Sequence, residues 1–213
     1  LDYNSGNYTN DDTNATVTLA SPSDASTIND TTPDFTASAS EAVSNCYLQV
    51  DDNNNFSSPI TGLNGVDAGS DCDYAGAEYS FTFVNGTTYY WRMKATDTVG
   101  NAGDYGDDFN FTIDTSGPSV SVISVAGDAS APYWDTVNDS TTTLILSGEA
   151  GMTCRIGTTN VDYNSLAASS CTTNGTQASC DLDPNDNLTE SSAITRYYAC
   201  IDSLGNQNST LSV

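Results

Sequence analysis

Histidine is absent from this 213-residue chain, and with it go the commonest general base and the commonest transition-metal ligand. Lys and Arg together number 4 against 28 Asp and Glu, so the formal charge is −24. Nucleic acid and anionic membrane both require clustered Lys or Arg, and this surface repels them. Glutamate is scarce as well: Glu41, Glu78, Glu149 and Glu190 are the only ones, and the rest of the acid is Asp. Glu, Lys and Arg are good helix formers, whereas Asp, Asn, Ser, Thr and Gly favour turns and strand connections, so the composition argues against helices. No apolar run reaches the 18 residues of a membrane-spanning helix. A leading Met is missing too, and opening on Leu1 is expected of a mature form after signal removal, or of a fragment.

What the chain does contain points outside the cell. Six cysteines fall at Cys46 and Cys72, then at Cys154, Cys171, Cys180 and Cys200. An even number in a loop-rich, lysine-poor chain reads as disulfides formed in an oxidising compartment. Zinc would want close Cys-x-x-Cys pairs, and there are none. Asn-x-Ser/Thr sequons occur at Asn7, Asn14, Asn29, Asn55, Asn85, Asn110, Asn138, Asn174, Asn187 and Asn208. Eight of these ten end in Thr, a bias expected of acceptors for covalent N-glycans rather than of accidental matches.

An internal repeat organises the chain. Tyr89 to Asn101 (YYWRMKATDTVGN) and Arg196 to Asn206 (RYYACIDSLGN) are both period-two aromatic strands running into Asp-x-x-Gly-Asn. Aligning Asp97 with Asp202 sets Gly100 on Gly205 and Asn101 on Asn206. Two copies about 105 residues apart, in a chain too long for one sandwich of roughly a hundred residues, predict two tandem all-β antiparallel sandwiches of immunoglobulin-like or fibronectin-III-like kind. The first spans residues 15–115, with strands at ATVTLASPSD, Pro33–Ala39, Asn45–Val50, Tyr79–Val84, the Tyr89 strand and Phe109–Ile113. The second spans 116–213, with strands at Ser119–Val125, Thr143–Leu146, Thr153–Ile156, Ala178–Leu182, Arg196–Ile201 and a short Ser209–Val213. Placing Cys46 on Cys154 and Cys72 on Cys171 puts Phe81 on Cys180 and Ala95 on Cys200. The repeat therefore suggests Cys46–Cys72, Cys154–Cys171 and Cys180–Cys200, with Cys154–Cys200 and Cys171–Cys180 as the alternative.

The segments YLQVDDNNNF, NGTTYYWRMKATDTVGN and FNFTIDTSGP resemble the fibronectin-III-like and Ig-like repeats of prokaryotic surface proteins, and MTCRIGT and YYACIDSLGN extend the resemblance into the second half. Such repeats imply stalks, adhesins, surface-layer components or filament subunits rather than catalysts. Sequons together with extreme acidity add the expectation of an archaeal cell-surface protein.

Residues 1–14 are polar and have no core of their own. They are expected to add as a donor strand to a neighbouring subunit through Leu1, Tyr3 and Tyr8, building an extracellular, pilus-like homopolymer by head-to-tail contacts that do not close. The competing placement folds the tail onto its own first domain. An adhesin or surface-layer module recognising carbohydrate or another cell is the alternative function. Trp134 is expected in core or interdomain packing, with a sugar-stacking or subunit-contact patch as the alternative that would suit such a module, whereas Trp91 in its alternating strand is expected in the core.

Metal-ligating chemistry is confined to carboxylates. Asp181, Asp183, Asn185 and Asp186 alternate oxygen ligands as a calcium loop does, without the Gly and bidentate Glu that complete one. Further groups are Asp51, Asp52 and Asn54; Asp67, Asp71 and Asp73; and Asp104, Asp107 and Asp108. Asp and Asn also make Asx-turns, so solvated loops account for the same pattern. A glycosidase pair lacks any aromatic-rich cleft, and Ser or Cys nucleophiles lack a His partner. No enzyme activity is expected.

Overall fold

A computed structural model describes residues 11–131, 133, 142–166, 169–182 and 195–213. The chain divides into two compact units, Leu1–Asp114 and Thr115–Val213.

Unit 1 is set by strict alternation. In β7 (Thr88–Asp97), Tyr89, Trp91, Met93, Ala95 and Asp97 are buried, while Thr88, Tyr90, Arg92, Lys94 and Thr96 are half-buried on the other face. This is the period-two pattern of a strand with one face on a core. Together with β2 (Ser26–Ile28), β4 (Val43–Asp51), β5 (Asn64–Asp67) and β8 (Phe109–Ile113) it forms a five-stranded sheet in the order β2-β8-β7-β4-β5. The facing sheet is β1-β3-β6, from β1 (Val17–Ser21), β3 (Phe35–Ala39) and β6 (Asp73–Tyr74). Pairings are antiparallel except β2 with β8. Between β1 and β2 the chain crosses from one sheet to the other, and the Pro22 carbonyl there accepts a hydrogen bond from Trp91 Nε1 at 3.2 Å. Phe35 is fully buried, its ring 5.3–6.2 Å from those of Tyr79, Phe83, Trp91 and Phe111.

The strand expected at Tyr79–Val84 does not form. A 3₁₀ turn at Gly76–Glu78 leads into a segment that sends Phe81 and Phe83 to the core without joining a ladder. Aromatic alternation satisfies the core. The backbone, however, bonds to a loop (Phe83 N to Thr31 O, 3.0 Å) and to a side chain (Val84 N to Tyr89 Oη, 3.1 Å).

Unit 2 contains β9 (Ser121–Val125), β10 (Thr143–Ser147), β11 (Thr153–Gly157), β12 (Ser169–Ser170), β13 (Thr172–Asn174), β14 (Gln177–Asp181), β15 (Tyr197–Ile201) and β16 (Leu211–Ser212). Its sheets run β13-β14-β10-β9 and β12-β11-β15-β16. Read in chain order these are the A-B-E-D and C-F-G sheets of an immunoglobulin-type sandwich, with β12 added at the C edge. Leu144, Leu146, Met152, Ala178 and Cys180 are fully buried in its core. Both units are all-β sandwiches of Ig-like kind.

The disulfide pairing in unit 2 corrects the arrangement the repeat suggested. Cys46 bonds Cys72, but Cys154 bonds Cys200 and Cys171 bonds Cys180. The reason is register. Cys154 and Cys200 are direct antiparallel partners across β11 and β15. Their polar backbone groups bond elsewhere: the Cys200 N–H to Asn208 Oδ1 at 2.7 Å, the Cys200 carbonyl to Asn208 N at 3.1 Å, and the Cys154 carbonyl to Cys171 N at 3.1 Å. They thus form the closer, non-hydrogen-bonded type of cross-strand pair, with Cα atoms 4.0 Å apart. In unit 1 the position opposite Cys46 is Ala95, which offers no sulfur, so Cys46 turns to Cys72.

Candidate functional site

The repeated Asp-x-x-Gly-Asn is one turn built twice. In unit 1, Asp97 Oδ1 accepts from the backbone N–H of Val99, Gly100 and Asn101 at 2.6–2.9 Å, and Oδ2 accepts from Asn101 Nδ2 at 2.7 Å. In unit 2, Asp202 Oδ1 accepts from Leu204 N and Asn206 N, both at 2.8 Å, and Oδ2 from Asn206 Nδ2 at 2.9 Å. Gly100 and Gly205 hold φ of 104° and 92°, a conformation that glycine adopts freely and that a Cβ would strain. Burial alone would raise the Asp97 carboxyl, but its hydrogen bonds from Asn101, Val99 and Gly100 outweigh that and hold it below the usual value.

Asp97 is also where acid converges. Among the described residues, Asp11, Glu41 and Asp97 bring carboxylate oxygens within 4.8 Å of one another. An all-oxygen donor set suits a hard cation such as calcium. Asp97, however, already accepts four hydrogen bonds, and its counterpart Asp202 accepts the same kind of set. The turn therefore accounts for Asp97 without a metal. Sequence spacing could not have found the group, because its three members are scattered over 86 positions of the chain.

The carboxylate groups proposed from sequence fare differently. Asp181 ends β14 exposed to solvent, while Asp183, Asn185 and Asp186 lie outside the described residues. Asp51 is fully buried and spent on its own loop, accepting from Asn53 N, Asn53 Nδ2 and Ser58 N at 2.7–3.2 Å. Asp67 accepts from Gly69 N and Asn45 Nδ2, and its oxygens do not converge with those of Asp71 and Asp73. Asp104, Asp107 and Asp108 are exposed and likewise do not converge. Asp51 and Asp67 are thus Asx-type turn acceptors, and Asp104, Asp107 and Asp108 lie in a loop.

Of the tail, Leu1, Tyr3, Tyr8 and the sequon at Asn7 lie outside the described residues. Residues 11–14 rest on unit 1 itself: Asn101 Nδ2 donates to the carbonyls of Asp11 (2.8 Å) and Thr13 (3.3 Å), and Ala15 is buried. Trp134, Asn138 and Asn187 are also outside the described residues. Trp91 is fully buried in the core. Asn14, Asn29, Asn55, Asn85 and Asn174 are exposed, and Asn110 is half-buried. Asn208 differs from the other described acceptors. It is half-buried, its Oδ1 is held by Cys200 N, and its Nδ2, the atom a glycan would occupy, is buried without a partner among the described residues.

The sequence reading passed over one feature. The outer face of β7 carries Arg92 and Lys94, two of the chain's four basic residues. Arg92 lies with its Cζ 3.9 Å from the Phe56 ring centroid and 4.4 Å from that of Tyr105. Its Nε donates to Gln49 Oε1 at 2.8 Å, and Gln49 Nε2 in turn donates to Asn64 Oδ1 at 2.8 Å. Lys94 Nζ stands 5.1 Å from the Tyr105 ring centroid. The signal was available: two cations at i and i+2 in a chain nearly devoid of them, opposite in phase to Trp91 and Met93.

No protein-family model matches the chain, and no curated protein matches it. Among solved structures it is similar to part of a 1.5-MDa bacterial ice-binding adhesin, at 15% identity and TM-score 0.40, covering 94% of this chain and 64% of that one. It is similar to the D00–D0 domain of intimin, at 11% identity and TM-score 0.34, covering 92% and 96%. It is also similar to an α-L-rhamnosidase of Streptomyces avermitilis, at 11% identity and TM-score 0.37, covering 92% of this chain and 24% of that one. The chain thus spans about a quarter of the rhamnosidase and less than two thirds of the adhesin structure. The assignment of the fold rests on the strand order described above.

Proposed function

We propose that the chain is a structural, non-catalytic module of an extracellular surface assembly, a stapled tandem of sandwiches whose work is mechanical. The observation that carries this reading is the closure of all six cysteines into three bonds within the sandwiches. That chemistry suits an oxidising compartment and leaves no thiol nucleophile. The absence of histidine and the use of Asp51, Asp97 and Asp202 as turn caps support a chain without acid–base machinery. Exposed acceptors at Asn14, Asn29, Asn55, Asn85 and Asn174 support a glycan-shielded surface.

In its narrower form the reading is a filament subunit, joined head to tail by strand addition. Residues 11–14 are engaged with unit 1, so residues 1–10, with Leu1, Tyr3 and Tyr8, would do the docking. That same engagement favours a second reading, a self-contained adhesin or surface-layer module. Electron microscopy of native material separates the two. A filament whose density runs residues 1–10 into the next subunit's sandwich supports strand addition. Monomers with that segment on their own unit 1 refute it and leave the adhesin-type module. Turnover of a glycan or peptide by the purified chain would overturn the non-catalytic reading.

A further inference from the structure

We propose that the outer face of the unit 1 sheet around Arg92 and Lys94 is a carboxylate-recognition patch, through which the acidic surface of a second copy of this chain docks. The proposal rests on the reading of the chain as part of a surface assembly and names one contact that would hold copies together.

The first support is an imbalance left standing. The chain has 28 acidic residues and 4 basic ones, yet two of the four sit side by side on one strand face. Among the described residues no carboxylate forms an ion pair with either. Among the described residues, the polar and ring partners of the Arg92 and Lys94 side chains are the Phe56 and Tyr105 rings and Gln49. A cation whose sole task was stability in so acidic a chain would have found a partner at small cost.

The second support is preorganisation. Two rings lie against the guanidinium, and its Nε is tied through Gln49 to Asn64. What remains is the Nη edge, the part that meets a carboxylate in a bidentate fork. Because the group is already immobilised, little further rotamer freedom is lost on binding. The repeat supplies a control. Aligning Asp97 with Asp202 puts Arg92 on Tyr197 and Lys94 on Ala199; the cation on that face of unit 2 is instead Arg155, the cross-strand partner of Ala199, and its Nη1 is spent on the carbonyls of Tyr163 and Asn164.

Charge complementarity selects the occupant. Most of the surface repels a second copy, and this face attracts one. A uronate-bearing glycan offers the same carboxylate, but the Phe56 and Tyr105 faces on which a sugar ring would stack are taken by Arg92. Asp104 and Asp107 flank Tyr105 on its loop, so the attraction is short in range and selects a carboxylate that reaches the fork. A contact between this face and a different face of the next copy is heterologous and propagates rather than closes.

The test is sedimentation of the full chain from about 1 to 100 μM at 0.05–1 M NaCl, concentrations that span weak to moderate association. Wild type is compared with Arg92→Gln/Lys94→Gln, Arg92→Lys, and Arg155→Gln in unit 2. Near-ultraviolet circular dichroism confirms that each variant is folded. Wild type should self-associate, most strongly at intermediate salt, where the repulsion between two chains of charge −24 is screened and the close fork contact is not yet weakened. The double variant should lose at least tenfold in association constant, Arg92→Lys should lose part of that, and Arg155→Gln should match wild type. A folded double variant that associates like wild type overturns the patch, while polymers in native material would leave the assembly reading intact. Wild type that stays monomeric yet binds glucuronate oligosaccharides through Arg92 overturns the second-copy assignment in favour of a sugar. Native material that is monomeric overturns the assembly reading itself.

Discussion

Breaking the two disulfides of unit 2 one at a time should give unequal losses, and the inequality tests the register argument. In the chain-entropy account a bond stabilises according to the loop it closes. Cys154–Cys200 spans 46 residues and should contribute about 4 kcal/mol. Cys171–Cys180 spans 9 and should contribute about 2.6 kcal/mol. All four cysteines are buried, so the packing lost on replacement by Ala is similar in the two variants and largely cancels. Cys154→Ala/Cys200→Ala should therefore be about 1.4 kcal/mol less stable than Cys171→Ala/Cys180→Ala, a difference of about 6–12 °C in the melting temperature of a domain this size. Differential scanning calorimetry of the full chain would read it, with the unit 1 transition as internal reference. Equal losses would refute the reasoning. Equality is what Cys154–Cys171 with Cys180–Cys200 gives, since each variant would then break both bonds. A tryptic digest of the denatured, unreduced chain gives an independent check. Cleavage after Arg155 and Arg196 separates Cys154, the Cys171 and Cys180 pair, and Cys200 into three peptides. The observed pairing links the first to the third and leaves the middle one alone, whereas the other arrangement ties all three together.

Phe35→Ala should destabilise unit 1 by about 3–5 kcal/mol, because its fully buried ring touches four others; chemical denaturation with a unit 1 probe such as Trp91 fluorescence measures it. The Asp97 carboxyl is depressed when folded, so its stabilisation is complete above the unfolded carboxyl range near pH 4 and is lost as pH falls through the folded value. Asp97→Asn should thus lower the unit 1 melting temperature at pH 7, and the gap to wild type should narrow as pH falls below the ordinary carboxyl range; a gap that does not change with falling pH would contradict the capping role. Glycopeptide mass spectrometry of native material should find Asn208 unmodified while exposed sequons carry sugar, and a glycan on Asn208 would contradict its buried Nδ2. Removing divalent ions with EDTA should leave the unit 1 melting temperature unchanged, because Asp97 is already saturated by its turn; a fall of several degrees would assign a cation to Asp11, Glu41 and Asp97.

The fold was legible where alternation is strong and the strand is long. The β7 strand shows it best, since five alternate residues from Tyr89 to Asp97 go inward without exception. The short strands were invisible for a physical reason. Segments such as Ser26–Ile28, Asn64–Asp67 and Thr172–Asn174 are mostly polar and three or four residues long, and their strand state comes from a partner rather than from their own pattern. Tyr79–Val84 failed in the opposite sense, because an alternating aromatic run can fill a core while its backbone bonds elsewhere. The disulfides show the limit of alignment. Equating Cys46 with Cys154 and Ala95 with Cys200 matched the register in both units, yet equivalence of positions says nothing about which sulfur is nearest. The acid cluster at Asp97 and the fork at Arg92 depend on residues far apart in the chain, which spacing alone cannot bring together.

Having the same turn twice allows architecture to be separated from function within one molecule. Asp97 and Asp202 accept the same kinds of bonds from Asn101 and Asn206, so this aspartate belongs to the sandwich and not to a site. Where the copies diverge, the sandwich has no need of the difference. Cys200 in place of Ala95 is explained by the bond it makes to Cys154. Arg92 and Lys94 in place of Tyr197 and Ala199 bring no comparable bond within the chain. Among the described residues neither cation has a carboxylate partner, and Arg92 is half-buried and partly dehydrated against its two rings. A group already partly dehydrated and fixed loses little further when a carboxylate arrives from outside. That is why the outer face of β7, rather than any of the many acidic loops, is where contact with another molecule is to be sought first.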